Sequence, residues 1–313
     1  MFLNKLPLAT LIILSDYLDL KSKCILHYYF KIYNILSLIK ILNNIESKNF
    51  TDKILKFQIF NKIETLNISN NNKITNVNHL KDSLIELDIF DECGVDQEGI
   101  KDCKKIRKLN VTNNTKIRDL NYLRESLVEL SCGNVSAIND KGFKECIKIE
   151  KLDASSNSKI TNINHLRDSL IDLNINSCSG FNCGINDEGF KECIKIKKLH
   201  VADNSKIKNL NHLKESLIEL NISGYCGVDN YGIKDCHKIE ILDISYNMFI
   251  YNINHLKNSL TDLNFFTVNI SDILSYEGVK DCKKIKKMNG INIDETTNIK
   301  IFKNLALSFD DNI

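Results

Sequence analysis

One phrase, written five times, constrains the fold of this chain more than any other feature. Residues 62–83 read KIETLNISNNNKITNVNHLKDS. Related phrases start from Ile63, Ile106, Ile149, Ile196 and Ile239, at steps of 43, 43, 47 and 43 residues. A different phrase fills each interval; the first is LIELDIFDECGVDQEGIKDC, residues 84–103. A fixed period of this size predicts an array of stacked coils in place of a compact globule. Such arrays present a long surface, and this points to binding.

Each period divides into two half-repeats, each marked by an apolar pair in the pattern L-x-L. The pairs are Leu66/Ile68, Leu87/Ile89, Leu109/Val111, Leu130/Cys132, Leu152/Ala154, Leu173/Ile175, Leu199/Val201, Leu220/Ile222, Leu242/Ile244 and Leu263/Phe265. Alternation over a few residues makes a short strand with both markers on one face. One coil cannot bury that face alone, so neighbours stack and share a core. The spacing and residue type resemble the leucine-rich repeat, a strand followed by a helix or irregular turn. The expected fold class is therefore α/β, a leucine-rich-repeat solenoid with parallel strands on its concave face.

Asn71, Asn114, Asn157, Asn204 and Asn247 each follow the marker Leu by five residues. A buried Asn there can bond backbone groups of its own coil and the next, so that no buried polar group is left half free. In the alternate half-repeats Cys178 takes this place, and Cys93 and Cys226 fall one residue later; the pairs Cys93/Cys103, Cys183/Cys193 and Cys226/Cys236 share one spacing and follow the repeat. Those half-repeats also carry Gly99, Gly142, Gly189, Gly232 and Gly278, each followed four residues on by Cys103, Cys146, Cys193, Cys236 and Cys282. Residues 95–103, VDQEGIKDC, read as a short helix with acidic residues early. Lys104 and Lys105 follow, where a helix C-terminus favours cations. This pattern, over roughly residues 63–290, resembles the cysteine-containing class of leucine-rich repeats common in F-box proteins.

The chain has 313 residues, 43% of them hydrophobic, which is ample for a core. Its net charge of +2 sets up no global field for nucleic acid or membranes. The eleven cysteines are odd in number and mostly in repeat register. They read as reduced, buried side chains, and this implies a cytoplasmic or nuclear setting. Residues 6–14, LPLATLIIL, lack a small-x-small cleavage site after them, and no apolar run reaches the length of a membrane helix.

Residues 1–45 do not follow the repeat. Leu11, Leu14 and Leu18, then Ile25 and Leu26, suggest short amphipathic helices, with residues 19–22 as a turn between two of them. Pro7, the only proline, suits the first turn of a helix. Leu6-Pro7, Ile12, Leu14 and Tyr17-Leu18-Asp19-Leu20 resemble an F-box. The acidic residue usual two places after the proline is Ala9 here, and the Trp often found near the end of the second helix is absent, the chain having none. The resemblance implies docking onto the Skp-type adaptor of a cullin–RING ubiquitin ligase, through Leu6, Pro7, Leu11, Leu14 and Leu18. The plainer reading makes these helices a cap on the first coil's apolar edge. The bias towards Asn, Ile and Lys suggests an AT-rich genome, and the whole pattern is similar to F-box/leucine-rich-repeat proteins of amoeba-infecting giant viruses. The adaptor would then be a host protein.

Nothing in the chain resembles a phosphate-cradling loop, and no cofactor, metal or catalytic residue is expected. His79, His165, His212 and His255 recur in the phrase N-H-L, with Tyr122 in the remaining slot. Equivalent positions two strands apart stand roughly 10 Å from each other, too far to share an ion, so these residues are expected beside the helix-side core. Before each marker, Glu86, Lys108, Glu129, Lys151, Asp172, Lys198 and Glu219 alternate in sign, which in a parallel sheet neutralises the column and holds register. Lys104, Lys105, Lys283 and Lys284 are taken as a solvated edge. The next two columns on the concave sheet are polar and then small, with Phe90 and Phe266 towards the ends. Asp88, Phe90, Asp153, His200, Asp243 and Phe266 are the candidate target contacts. The expected organisation is a helical module (1–45), a cap (46–62), the repeat array (63–290) and a C-terminal cap (291–313). The function expected is a non-catalytic substrate receptor; the alternative is a binding scaffold with no ligase link. An enzyme is the third reading, and no constellation supports it.

Overall fold

The computed structural model describes residues 40–57, 60–178, 181–266, 274 and 276–293. The chain forms two compact units: Met1–Ser131 with Val135–Ile138, and Cys132–Asn134 with Asn139–Ile313. The first unit carries strands β1 (Ile41–Leu42), β2 (Thr65–Asn67), β3 (Glu86–Asp88), β4 (Lys108–Asn110) and β5 (Glu129–Ser131), all parallel and paired in chain order. The second carries β6 (Lys151–Asp153), β7 (Asp172–Asn174), β8 (Lys198–His200), β9 (Glu219–Asn221), β10 (Ile241–Asp243), β11 (Asp262–Asn264) and β12 (Lys287–Met288), again parallel and in order. A last strand, β13 (Ile291–Asn292), turns back antiparallel onto β12.

The ten marker leucines are the central residues of β2 to β11, and they are buried without exception. A strand of three residues is short because the ladder goes on beyond it in another form. In the first unit Ile68 N–H donates to the Asp88 carbonyl and Asn70 N–H to that of Phe90; in the second, Ile222 N–H donates to Asp243 and Gly224 N–H to Ser245. The residue at the end of this extension has a left-handed backbone, at Asn70, Asp91, Asn113, Asn134, Ser156, Asp203, Gly224 and Tyr246, with φ between 55° and 67°. Asn, Asp and Gly tolerate that region best, and it turns the chain away from the sheet towards the next face of the coil.

The opposite side is built from single helical turns. Residues 95–103, read from sequence as a helix, hold only the α-helix Gln97–Ile100. Equivalent positions form a 3-10 turn at Asp140–Phe143 and α-helical turns at Asp187–Phe190 and Tyr276–Val279. The turns are bounded at both ends, the amides just past them being taken by an asparagine of the preceding coil, as Asp102 N–H by Asn78 and Glu192 N–H by Asn164. Asp96, Asn186 and Asp229 cap the amides of Gly99, Gly189 and Gly232, three residues on. A Cβ at Gly99, Gly189, Gly232 or Gly278 would collide with a carbonyl oxygen of the preceding coil, at Thr75, Thr161, Lys208 and Tyr251 respectively. The recurring glycine thus marks close approach of one backbone to the next. The N-H-L phrase forms 3-10 turns at Asn78–Leu80, Asn164–Leu166, Asn211–Leu213 and Asn254–Leu256.

The buried Asn column is present, with one change from expectation. Asn114, Asn157, Asn204 and Asn247 donate to carbonyls of the preceding coil, at Ile89, Cys132, Ile175 and Ile222, and not to the next one. Each Oδ1 accepts the amide two residues further along its own coil, as at Lys116 and Lys206. The next coil is reached instead by the main chain: Ala137, Gly184 and Gly227 N–H donate to the carbonyls of Asn114, Asn157 and Asn204.

Those amides also correct the cysteine register. The residues just before Gly94, Ala137, Gly184 and Gly227 are Cys93, Ser136, Cys183 and Cys226, and they are buried. Cys183 therefore stands in register with Cys93 and Cys226, as its spacing to Cys193 implies, and Cys178, placed from sequence in the asparagine's position, takes no buried place there. The 47-residue period carries its extra residues here, and they push Cys178 out to an exposed bridge with Phe181.

Candidate binding surfaces

The strand face decides what a partner would meet. On β3, Asp88 accepts hydrogen bonds from Asn67 Nδ2 at 3.1 Å, from Ser69 Oγ at 3.0 Å and from the Phe90 amide at 3.1 Å. Asp153 and Asp243 likewise accept the amides of Ser155 and Ser245, two residues on, at 3.0 and 2.9 Å. The same turn recurs at Asn110, Asn174 and Asn221. One side-chain oxygen of this column is thus spent on ending the strand, as Asn and Asp do in turns. Sequence reading took the column for a polar floor and missed that local role. His200 interrupts it, and the amide of Ala202 is served instead by Asn176 Oδ1 of the preceding coil, at 2.6 Å. His200 Nε2 lies 3.9 Å from Glu219 Oε1.

Asp88 and Phe90 sit in the first unit, both half-buried. Asp153, His200 and Asp243 share one column in the second unit, on alternate strands, separated by Asn174 and Asn221. Phe266 follows β11 and stacks on Tyr246, with ring centroids 6.5 Å apart. Leu6, Pro7, Leu11, Leu14 and Leu18 lie outside the described residues.

In the charged column Glu86, Lys108 and Glu129 stand in register in the first unit; Lys151, Asp172, Lys198 and Glu219 do so in the second. Lys108 Nζ is 3.4 Å from Glu129 Oε2, and Lys198 Nζ is 2.7 Å from Glu219 Oε2. Both pairs face solvent, where such attraction is small.

The N-H-L histidines pack against the turns. His79 Nε2 lies 3.1 Å from the Leu55 carbonyl, while His165 and His212 meet Phe143 and Phe190 edge-on, at 5.0 and 5.1 Å. Burial pushes all four below the usual imidazole range; His255, with His237 beside it, falls to about 4. The phrase also hides a second asparagine ladder that sequence reading missed. Asn164, Asn211 and Asn254 Nδ2 donate forward to carbonyls of the next turn, at Glu188, Tyr231 and Glu277, and their Oδ1 atoms accept the amides of Glu192, Asp235 and Asp281. The sulfurs of Cys193, Cys236 and Cys282 point at the carbonyls of Ile163, Leu210 and Ile253. Burial, with Glu192, Asp235 and Asp281 adding to it, pushes these thiols up to about 12. Among the described residues no three His, Cys, Asp or Glu side chains gather as metal ligands do. No helix among them is long and apolar enough to cross a membrane.

One coil of the second unit departs from the others. Positions held by Asn70, Asn72, Lys73 and Thr75 in the first phrase, and by Asp203, Ser205, Lys206 and Lys208 in the fourth, become Tyr246, Met248, Phe249 and Tyr251 in the fifth. These four are 50–57% exposed; Phe266, Tyr225 and Tyr231 nearby are at 50%, 77% and 72%. A run of large apolar side chains around one coil, where sister coils carry polar ones, is a feature of the fold's surface and not of its core.

Short parallel strands in chain order, an apolar marker at each strand centre and an asparagine joining each coil to the last define the leucine-rich-repeat fold. InlF, an internalin from Listeria monocytogenes, is similar with a TM-score of 0.55 at 17% identity, over 83% of this chain and 76% of that one. The functional domain of InlJ from the same organism, which includes a cysteine ladder, gives 0.56 at 18% identity, over 85% of this chain and 57% of that one. The structure of the yeast Rad7 and Elc1 complex gives 0.50 at 14% identity, over 95% and 85%. Likeness at such identities is a likeness of fold. No protein-family model matches the chain, and no curated protein matches it either.

Proposed function

We propose that this chain is a non-catalytic, leucine-rich-repeat interaction scaffold that holds a target protein. The observation that carries the reading is the coil rewritten from polar to Tyr246, Met248, Phe249 and Tyr251, continued on the strand face by Phe266. Aromatic residues and methionine are enriched at the cores of protein interfaces, and lysine is depleted there; this coil has lost its lysine to Phe249. Asp153, His200 and Asp243 supply polar contacts on the same unit's strands, and Asp88 and Phe90 supply a separate contact on the other unit.

The finer reading makes the scaffold a substrate receptor. Residues 1–45 dock a Skp-type adaptor, and the ligase transfers ubiquitin to the held target. It rests on the F-box resemblance of Leu6-Pro7 and the residues after them. The buried, free cysteines of the repeats suit the cytoplasm or nucleus, of a host cell if the chain is viral. The competing reading is a scaffold whose N-terminal helices only cap the first coil.

One co-precipitation separates these readings. The full chain, its Leu6→Ala/Pro7→Ala variant and its Met248→Ser/Phe249→Lys variant are each mixed with a eukaryotic Skp adaptor and with cell extract. The expected result is loss of adaptor by the first variant alone, and at least tenfold weaker target capture by the second alone. Folded wild-type protein that ignores the adaptor sinks the receptor reading, and equal capture by the second variant removes the aromatic coil from the binding surface.

A further inference from the structure

The second unit has a groove of about 880 Å³ along the side where its chain enters the last strands. Ile218, Glu240, Thr261 and Lys286 form its rungs, joined by amide bonds of 2.8 Å from Glu240 to Ile218, from Thr261 to Glu240 and from Lys286 to Thr261. Ile285 and Ile293 are the apolar part of its lining; Lys238, Lys283 and Lys284, with Asn258 and Ser259, are the polar part.

Two departures from the repeat open this groove and charge it. The rung at Thr261 is Ile85, Val128, Ile171 and Ile218 in the earlier coils, so a smaller polar side chain stands where the array carries a branched apolar one. The position of Asn258 is Asp82, Glu125, Asp168 and Glu215 in those coils. There the carboxylate answers a lysine: Lys195 Nζ lies 3.8 Å from Asp168 Oδ1, and Lys238 Nζ lies 2.9 Å from Glu215 Oε2. Lys284 still bonds the main-chain carbonyl of residue 258, at 2.7 Å, but Asn258 supplies no charge. Among the described residues no carboxylate lies within ion-pair distance of Lys283, Lys284 or Lys286, and Glu240 is the one acid in the lining.

From this geometry we propose that the groove binds an acidic peptide segment of a partner protein, at a site separate from the aromatic coil. The rung amides are already bonded to the sheet, so recognition falls to side chains and not to an added strand. The volume suits several residues and is large for a lone anion. Lys238 and Lys284 occupy equivalent places two strands apart, about 10 Å; Lys238 is shared with Glu215, so Lys284, with Lys283 and Lys286, brings the charge that no carboxylate of the described residues answers. A peptide in the polyproline-II conformation covers the distance between Lys238 and Lys284 in one turn of three residues at about 3.1 Å each and returns every third side chain to the same face, so acidic residues three apart, with apolar residues between, match lysines over an isoleucine floor. The attraction is electrostatic and partly exposed, and salt weakens it.

The test is an anisotropy titration of the full chain with a labelled nonapeptide carrying glutamate at every third position and isoleucine between. Asn258→Asp and Thr261→Ile return single positions to the repeat's own residues and so preserve the fold; Lys283→Glu/Lys286→Glu reverses the charge. Saturable binding is expected, at least tenfold weaker in the charge-reversed protein, several-fold weaker in each restored variant, and weaker as salt rises from 50 to 300 mM. The lysine counterpart of the peptide is expected not to bind. Binding unchanged in Asn258→Asp and Thr261→Ile, equal binding of the lysine peptide, or displacement by a ten-nucleotide single-stranded RNA would overturn the proposal. Target capture through the aromatic coil is expected to survive Thr261→Ile, so failure of one site is distinguishable from failure of the other.

Discussion

At the scale of single residues the fold depends on polar groups more than on its many leucines. Asn247 is wholly buried; its Nδ2 serves the carbonyls of Ile222 and Val228 at 2.8 and 3.3 Å, and its Oδ1 takes the Phe249 amide at 2.8 Å. Asn247→Ala leaves those groups without partners in a dry interior. It is expected to lower stability by about 2–4 kcal/mol, read from the urea midpoint. A shift under about 0.5 kcal/mol would refute the role given to the column. This residue was legible in the sequence, because one Asn at one offset from the marker leucine has few uses other than bonding backbone. The ladder at Asn164, Asn211 and Asn254 was not, although the phrase N-H-L was in plain view. Nothing local shows that the Asn beside the histidine reaches forward to a turn twenty or more residues away.

At the scale of the coil, the N-H-L turns tie stability to pH. His255 and its counterparts are held below the ordinary imidazole value by burial, so the unfolded chain binds their protons more readily than the folded one does. Their contribution is complete above pH 6.5 and is lost as pH falls from there towards about 4, where His255 protonates in the folded state. Up to about 2 kcal/mol is expected from His255 between pH 7 and pH 5. Tyr122 fills the same slot in its own coil, so His255→Tyr keeps the packing and removes the titration. Urea midpoints of this variant are expected to depend less on pH over that window; an unchanged slope would place the dependence elsewhere. The strand centres and the recurring glycines were readable from the repeat. The single-turn length of the helical segments was not, since Asp96 and Asn186 fix only where they start, while Asn78 and Asn164 of the preceding coil take the amides beyond their ends and the neighbouring backbone confines them.

At the scale of the whole molecule, the cysteines report on the array. Nine of the ten described are buried and one, Cys178, is exposed. Burial pushes the thiols of Cys103, Cys193, Cys226, Cys236 and Cys282 up to about 12, far from the thiolate that reacts. Brief alkylation of the native protein at pH 8, followed by peptide mapping, is expected to label Cys178 among these ten, and unfolding is expected to expose the rest. Early labelling of Cys183 would refute its place in the buried column. The place given to Cys178 failed because counting residues forward from the marker cannot tell an inserted loop from a shifted column, whereas the ten residues from Cys183 to Cys193, shared with Cys93/Cys103 and Cys226/Cys236, lie beyond the insertion.

Taken alone, the sequence determined the fold class, the place of every marker leucine, the buried asparagine column and the alternating charges, because a repeat records the contacts that each coil makes with coils like itself. The tertiary structure alone decided that Cys178 lies outside the buried column and which oxygens of the strand face are already spent on turns. It also showed what the departures from the repeat amount to. Tyr246, Met248, Phe249 and Tyr251 fall within six residues of one another, but Phe266 is twenty positions from Tyr246 and Lys284 is twenty-six from Asn258. Only when coils stack do residues some twenty positions apart become neighbours, and only then do single exceptions join into an apolar band and a lysine-lined groove.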